Sequence, residues 1–167
     1  MGAKPQAMWL PGLDENEQRS WREFVESSTG LLVALNQTLT ARHQLDLFEL
    51  RLLDFLAKSD TGSARMSELA EALMLLRSRV TWLTRRLETR GLLRRARIQG
   101  DGRAVLAEIT TEGRTRVAEA NRTYAQEIRR LYVNQMSRQQ MLALGAACQR
   151  INASLVPAEV RTNPGDN

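Results

Sequence analysis

The chain is 167 residues long, 43% hydrophobic and 26% charged, which suits one globular domain with appended helices and a core that needs no covalent staples. A single cysteine, Cys148, excludes an internal disulfide framework and agrees with a reducing cytoplasm. No apolar run has signal-peptide or membrane-spanning length, so a membrane partner is not expected. The net charge is +5, yet residues 77–103 hold nine arginines against two acids, so this stretch carries +7 and the rest of the chain −2.

Residues 1–13, with two Pro and two Gly, read as an irregular lead-in. Asp14 and Glu17 have capping-box spacing, and Trp21, Phe24, Val25, Ser28, Leu31, Leu32, Leu35 and Leu39 recur at intervals of three and four. Together they predict a long amphipathic helix over 14–40. Asp46 and Glu49 repeat the signal before LFELRLLDFLAK, a second helix ending near Lys58. S-D-T-G turns the chain, Ala64–Met66 reads as a one-bridge strand, and Ser67 is expected to cap a short helix, ELAEALML. A further helix runs from Arg77 to Arg90 and stops at Gly91.

There the period changes. LLRRARI (92–98) and AVLAEIT (104–110) are β-capable runs, with Asp101-Gly102 expected as the hairpin turn. Thr110 caps a helix of about twenty residues carrying Val117, Tyr124, Ile128, Leu131 and Tyr132. Ser137 and Gln140 form another capping box. Beyond it Met141, Leu144, Cys148, Ile151 and Leu155 make a coiled-coil seam that Pro157 closes, leaving 157–167 as a disordered tail.

Helix, short helix, helix and two-stranded hairpin is the order of a winged helix-turn-helix, whose second helix enters the major groove. On a helical wheel Val80, Leu83, Thr84 and Leu87 share one face of the 77–90 helix. Ser78, Trp82, Arg85 and Thr89 lie opposite, flanked by Thr81 and Arg86. These are residue types that contact base edges, thymine methyls and phosphates. Arg95 and Arg97 share one face of the first hairpin strand, and Arg103 follows the Asp101-Gly102 turn, where a thin ribbon suits a narrow minor groove. A one-signed charge cluster on a structured motif is costly unless an anion receives it, and duplex DNA is the expected partner.

MSELAEAL, then SRVTWLTRRLETRGLLRR, then GDGRAVLAEITTEGR resembles the MarR (multiple antibiotic resistance regulator) family of bacterial transcription factors over residues 20–155. Asp101-Gly102-Arg103 matches the family's wing signature, and Ile109-Thr110-Thr111-Glu112-Gly113-Arg114 its Leu/Ile-Thr-x-x-Gly-Arg element. Leu76 and Met74 stand where members often have an N-cap Ser and a Gly, and Trp82 where an Arg is common.

The resemblance implies a mainly α fold with a small β-hairpin wing. A winged helix-turn-helix over 45–110 would be flanked by dimerisation helices over 14–40 and 111–156. It carries over Arg77, Ser78, Thr81, Trp82, Arg86, Asp101 and Arg103 as DNA-binding residues, to which the helical wheel and the strand alternation add Arg85, Arg95 and Arg97. The flanking stripes, too broad for one winged domain, make Trp21, Leu31, Leu35, Leu144, Cys148, Ile151 and Leu155 candidates for a homodimer interface. A ligand-responsive repressor of a pseudo-palindromic operator is the expected function, with a small-molecule effector as a candidate partner. A winged-helix module for protein interaction is the alternative. His43, the only histidine, reads as a loop or pocket-edge residue. The sequence offers no metal cluster, phosphate loop or catalytic triad, so no cofactor and no enzyme activity are expected.

Overall fold

The computed structural model describes residues 10–98 and 101–155, with the side chains of Arg97, Ile98 and residues 101–104 left aside. Two compact units divide the chain, one reaching Ala125 and the other beginning at Gln126. The first contains α1 (Glu15–His43), α2 (Leu47–Lys58), β1 (Ser63–Arg65), α3 (Met66–Leu73), α4 (Arg77–Thr89), β2 (Leu93–Ile98) and β3 (Asp101–Ile109). Helix α5 (Thr111–Leu131) begins in it, and the second unit continues through a 3₁₀ turn (Val133–Gln135) to α6 (Arg138–Leu155). The fold is the mainly α winged helix with a small antiparallel sheet that the sequence predicts.

Local signals set most boundaries. Asp14 Oδ1 accepts from the Asn16 and Glu17 amides at 2.8 and 2.9 Å, while Glu17 accepts from the Asp14 amide at 2.8 Å. Asp46 and Glu49 form the same reciprocal pair, as do Ser137 and Gln140. These caps satisfy donors that a helix start leaves orphaned. Gly91, at φ +70°, ends α4, with Gly91 N donating to Glu88 O and Leu92 N to Leu87 O, the paired bonds of a Schellman motif.

The sheet has the order β1-β3-β2, with Ala64 opposite Ala107 and Arg95 also opposite Ala107. Its inner face and the helices enclose a core of Leu39, Leu45, Leu50, Leu52, Leu53, Leu56, Leu69, Val80, Leu83, Leu87, Leu93 and Ala107 among others.

Several expectations need correction. Arg65, not Ser67, occupies the α3 N-cap, its amide donating to Glu68 Oε2 at 2.8 Å, because pairing with β3 keeps the chain extended through Arg65. Asp101 and Gly102 lie on β3 rather than in the turn, since Ile98 already pairs with Asp101 and the connection falls at 99–100, outside the described residues. His43 is not a loop residue; it closes α1 and its Nε2 lies 2.8 Å from Thr123 Oγ1. Leu35 is buried within the chain at 3% exposure. The lead-in over 1–9 and the tail over 157–167 lie outside the described residues.

The Thr110-x-x-Gly113-Arg114 element is a clasp between α5 and the root of the wing. Thr110 Oγ1 donates to Gly91 O at 2.7 Å and accepts from Gly113 N at 3.0 Å, and Arg114 Nη1 donates to Ala57 O at 3.2 Å. A Cβ on Gly113 would collide with the Leu92 carbonyl oxygen and come within 2.8 Å of Ile109 Cγ1. Gly113→Ala should therefore lower the unfolding free energy by about 1–3 kcal/mol despite its better helix propensity, measured by urea denaturation.

Candidate nucleic-acid interface

The charged stretch becomes a surface through the way α4 is seated. Val80, Leu83, Thr84 and Leu87 are all 0% exposed, and Thr84 Oγ1 is satisfied by the Val80 carbonyl at 3.0 Å. Full burial of a Val or Leu side chain is worth about 1.5–3 kcal/mol, so this face fixes the rotation of the helix. Arg77, Ser78, Arg79, Trp82, Arg85, Arg86 and Thr89 are then exposed, and Thr81 is half-buried with its hydroxyl on the Arg77 carbonyl.

The turn into α4 is unusual. Met74 holds φ +53°, a left-handed conformation that costs a side-chain-bearing residue about 1–2 kcal/mol. Leu76 provides no side-chain cap, and Met74 and Leu76 are 82% and 78% exposed beside the α4 N-terminus.

Acids at the rear of α4 manage its charge. Glu49, 0% exposed, faces two arginines one helical turn apart: Arg86 Nε lies 3.1 Å from Oε1 and Arg90 Nη1 3.4 Å from Oε2. Arg86 also lies 3.7 Å from Asp46. Burial pushes the Glu49 carboxyl above the usual range, and the Asp46 charge adds to this. The cap amide of Asp46 and the charges of Arg86 and Arg90 pull the other way. On the outer side the guanidinium carbons of Arg79 and Arg86 lie 4.4 and 5.2 Å from the Trp82 ring centre. Arg95 on β2 is bound to Glu88 through Nε at 2.7 Å and Nη2 at 2.6 Å, and its amide donates to Glu88 Oε1 at 3.0 Å. The Arg95 side chain therefore ties the wing to α4. Arg97 lies on β2, and Asp101 and Arg103 on β3; their side chains fall outside the described atoms.

The model of the MarR family matches residues 43–104, the span that holds α2, α3, α4 and most of the wing. Sco3205 of Streptomyces coelicolor, a MarR family transcriptional regulator solved in complex with DNA, is 28% identical over 93% of this chain and 96% of its own, with a TM-score of 0.85. Over its helix-turn-helix and most of its wing the chain is similar to the MarR family. AbsC, a MarR family transcriptional regulator of the same organism, is 25% identical over 87% of this chain and 98% of its own, with a TM-score of 0.81. The S. aureus MepR–DNA complex shares the fold at 21% identity and a TM-score of 0.73, covering 81% of this chain and 97% of its own. Among curated proteins no sequence matches.

The structure gathers Arg77, Ser78, Thr81, Trp82, Arg85 and Arg86 on α4, and joins Arg95 to that helix through Glu88. Sequence reasoning passed over Arg79, Glu49, Glu88 and Arg90. Arg79 and Arg86 stand three before and four after Trp82, a spacing that brings side chains together on a helix, so that trio was legible. Glu49 was read only as a capping residue. Among the described residues no group of three or more His, Cys, Asp or Glu is placed to hold a metal ion, and no helix is long and apolar enough to cross a membrane.

The Glu88 carboxyl is held below the usual range, chiefly by the side-chain hydrogen bond from Arg95. A depressed carboxylate stabilises the fold above its ordinary titration range and ceases to do so as pH falls through the depressed value. Glu88→Gln should therefore cost about 0.5–1 kcal/mol at neutral pH, as expected of a partly exposed pair, and progressively less as pH falls through the acid range. Denaturation of both proteins at neutral and acid pH checks this.

Proposed function

We propose that this protein is a homodimeric, sequence-specific DNA-binding transcription regulator, a repressor of a pseudo-palindromic operator that a small molecule releases. One observation carries the reading: α4 buries a single apolar face completely and turns Arg77, Ser78, Arg79, Trp82 and Arg85 outward, next to an arginine-bearing wing. The DNA complexes of Sco3205 and MepR support it. In this reading α4 enters the major groove, where Arg and Ser contact base edges and Trp82 packs on thymine methyls. Arg97 and Arg103 serve the backbone and the adjacent minor groove, Arg95 steadies the wing against α4 through Glu88, and Asp101 orients a nearby Arg rather than touching DNA.

A two-fold dimer is supported by apolar side chains left exposed in each unit. Trp21 and Leu32 on α1 are 52% and 53% exposed, and Ile151 and Leu155 on α6 are 46% and 71% exposed. Leu31 and Cys148 are half-buried in the protomer and Leu144 is exposed, all available for further burial. Such a dimer would set two recognition helices roughly 34 Å apart, one turn of DNA. An effector would act by favouring one spacing of the two lobes, and its effect is bounded by its differential affinity for the two states. The effector is supported by the family resemblance.

A randomised duplex library offered to the protein should yield pseudo-palindromes with half-sites about 10 base pairs apart, and affinity should fall steeply with salt. Salt-insensitive binding to protein instead of DNA would establish the interaction-module alternative. On a selected duplex Arg103→Ala should reduce the log–log salt slope by about 1.8, two contacts of about 0.9 each, without altering stability. Leu144→Asp should cost several kcal/mol of association by desolvating a charge, and sedimentation that detects an undiminished dimer would remove α6 from the interface.

A further inference from the structure

The buried carboxylate of Glu49 has no place in the reading above, which it nevertheless bears upon. A capping box needs an acid or amide at the third helical position, but it does not need one that is 0% exposed and shared by two arginines of another helix. Arg86 and Arg90 are 44% and 24% exposed at their side chains, so both reach the surface of the helix proposed to meet DNA. A free arginine beside a duplex binds whichever phosphate it reaches, and such contacts add affinity without sequence information.

We propose that Glu49 is a specificity-determining positioning residue, which withholds Arg86 and Arg90 from DNA phosphates and leaves Arg79, against Trp82, as the guanidinium presented to base edges. The geometry supports each part. Arg86 is engaged through its Nε on Glu49 and is further drawn by Asp46, so its reach outward is restrained. The same Arg86 lies by the Trp82 ring, so anchoring it also limits where the indole settles. Arg79 is nearer to that ring and is exposed, and its stacked guanidinium keeps the planar fork that pairs with guanine. Glu49 and Asp46 together balance Arg86 and Arg90, while the exposed Arg77, Arg79 and Arg85 keep the helix positive. Long-range attraction of DNA therefore persists while short-range phosphate contact is withheld.

The inference rests on the DNA-binding reading, and the experiment separates the two. The probes are a duplex selected from a randomised library by the wild-type protein and a scrambled duplex of equal length. Glu49→Gln retains an oxygen for the Asp46 amide and removes only the charge. It should bind the scrambled duplex more tightly, with a log–log salt slope steeper by about 0.9 for each arginine released, and its preference for the selected duplex should fall about tenfold. A purely structural role predicts weaker binding to both duplexes with an unsteepened slope, and that result overturns the proposal. Adding Arg86→Gln to Glu49→Gln should remove part of the extra slope, and an unchanged extra slope would clear Arg86 of the effect. A second measurement needs no variant. In the wild-type protein the Nε–H NMR signal of Arg86 should stay in place when the selected duplex is added, whereas that of Arg79 should move. A large shift of the Arg86 signal with Arg79 unmoved reverses the assignment. Absence of any salt-dependent DNA binding by the wild type would overturn the function itself, whatever Glu49 does.

Discussion

Helix α4 carries arginines almost all round, and only Val80, Leu83, Thr84 and Leu87 make a face that the protein interior accepts. Everything about the proposed DNA surface follows from that constraint. Burying the one apolar face leaves a single rotation for the helix, and that rotation puts Trp82 and its flanking arginines in solvent. The arginines do not specify this seat; they occupy what the core leaves over. A charge at Leu83 would therefore harm the interface more surely than the loss of any exposed arginine, because an unpaired buried charge destabilises the whole seat.

Concentrating arginines in one segment sets up self-repulsion that the protein relieves locally. Glu49 and Asp46 come from α2, while Glu88 comes from α4 itself and reaches β2. Each acid therefore compensates charge and joins two elements at once. Helix α4 is held to α2 behind and to the wing beside it. The desolvation cost of Glu49 is tolerated because its partners are two guanidiniums with exposed outer edges, which keep part of their hydration.

The turn before α4 is built without the residues that would ease it. Met74 accepts a left-handed backbone that glycine would adopt without strain, and Leu76 starts the helix without a capping oxygen. Both side chains are displayed beside the α4 N-terminus. Together with the exposed apolar residues of α1 and α6, they give this protomer more uncovered hydrophobic surface than its winged core requires.

What the sequence by itself determined is what short spacing encodes. Asp14 with Glu17, Asp46 with Glu49, Thr110 with Gly113 and Ser137 with Gln140 each lie three residues apart, and their bonds form as soon as the helix start does. The inward face of α4 was legible for the same reason, because a 3.6-residue period brings Val80, Leu83, Thr84 and Leu87 together wherever the helix lies. Tertiary structure alone decided the pairings across distance. Sheet pairing of β1 moved the α3 cap from Ser67 to Arg65, and packing within the chain buried Leu35. Glu49 and Arg90 stand 41 positions apart, and nothing in either local segment states that they meet. A carboxylate in an arginine-rich chain has many partners of equal chemistry. Which ones it holds depends on which helix faces are buried first, since the hydrophobic seat places the charges and the charges then pair with what lies within reach.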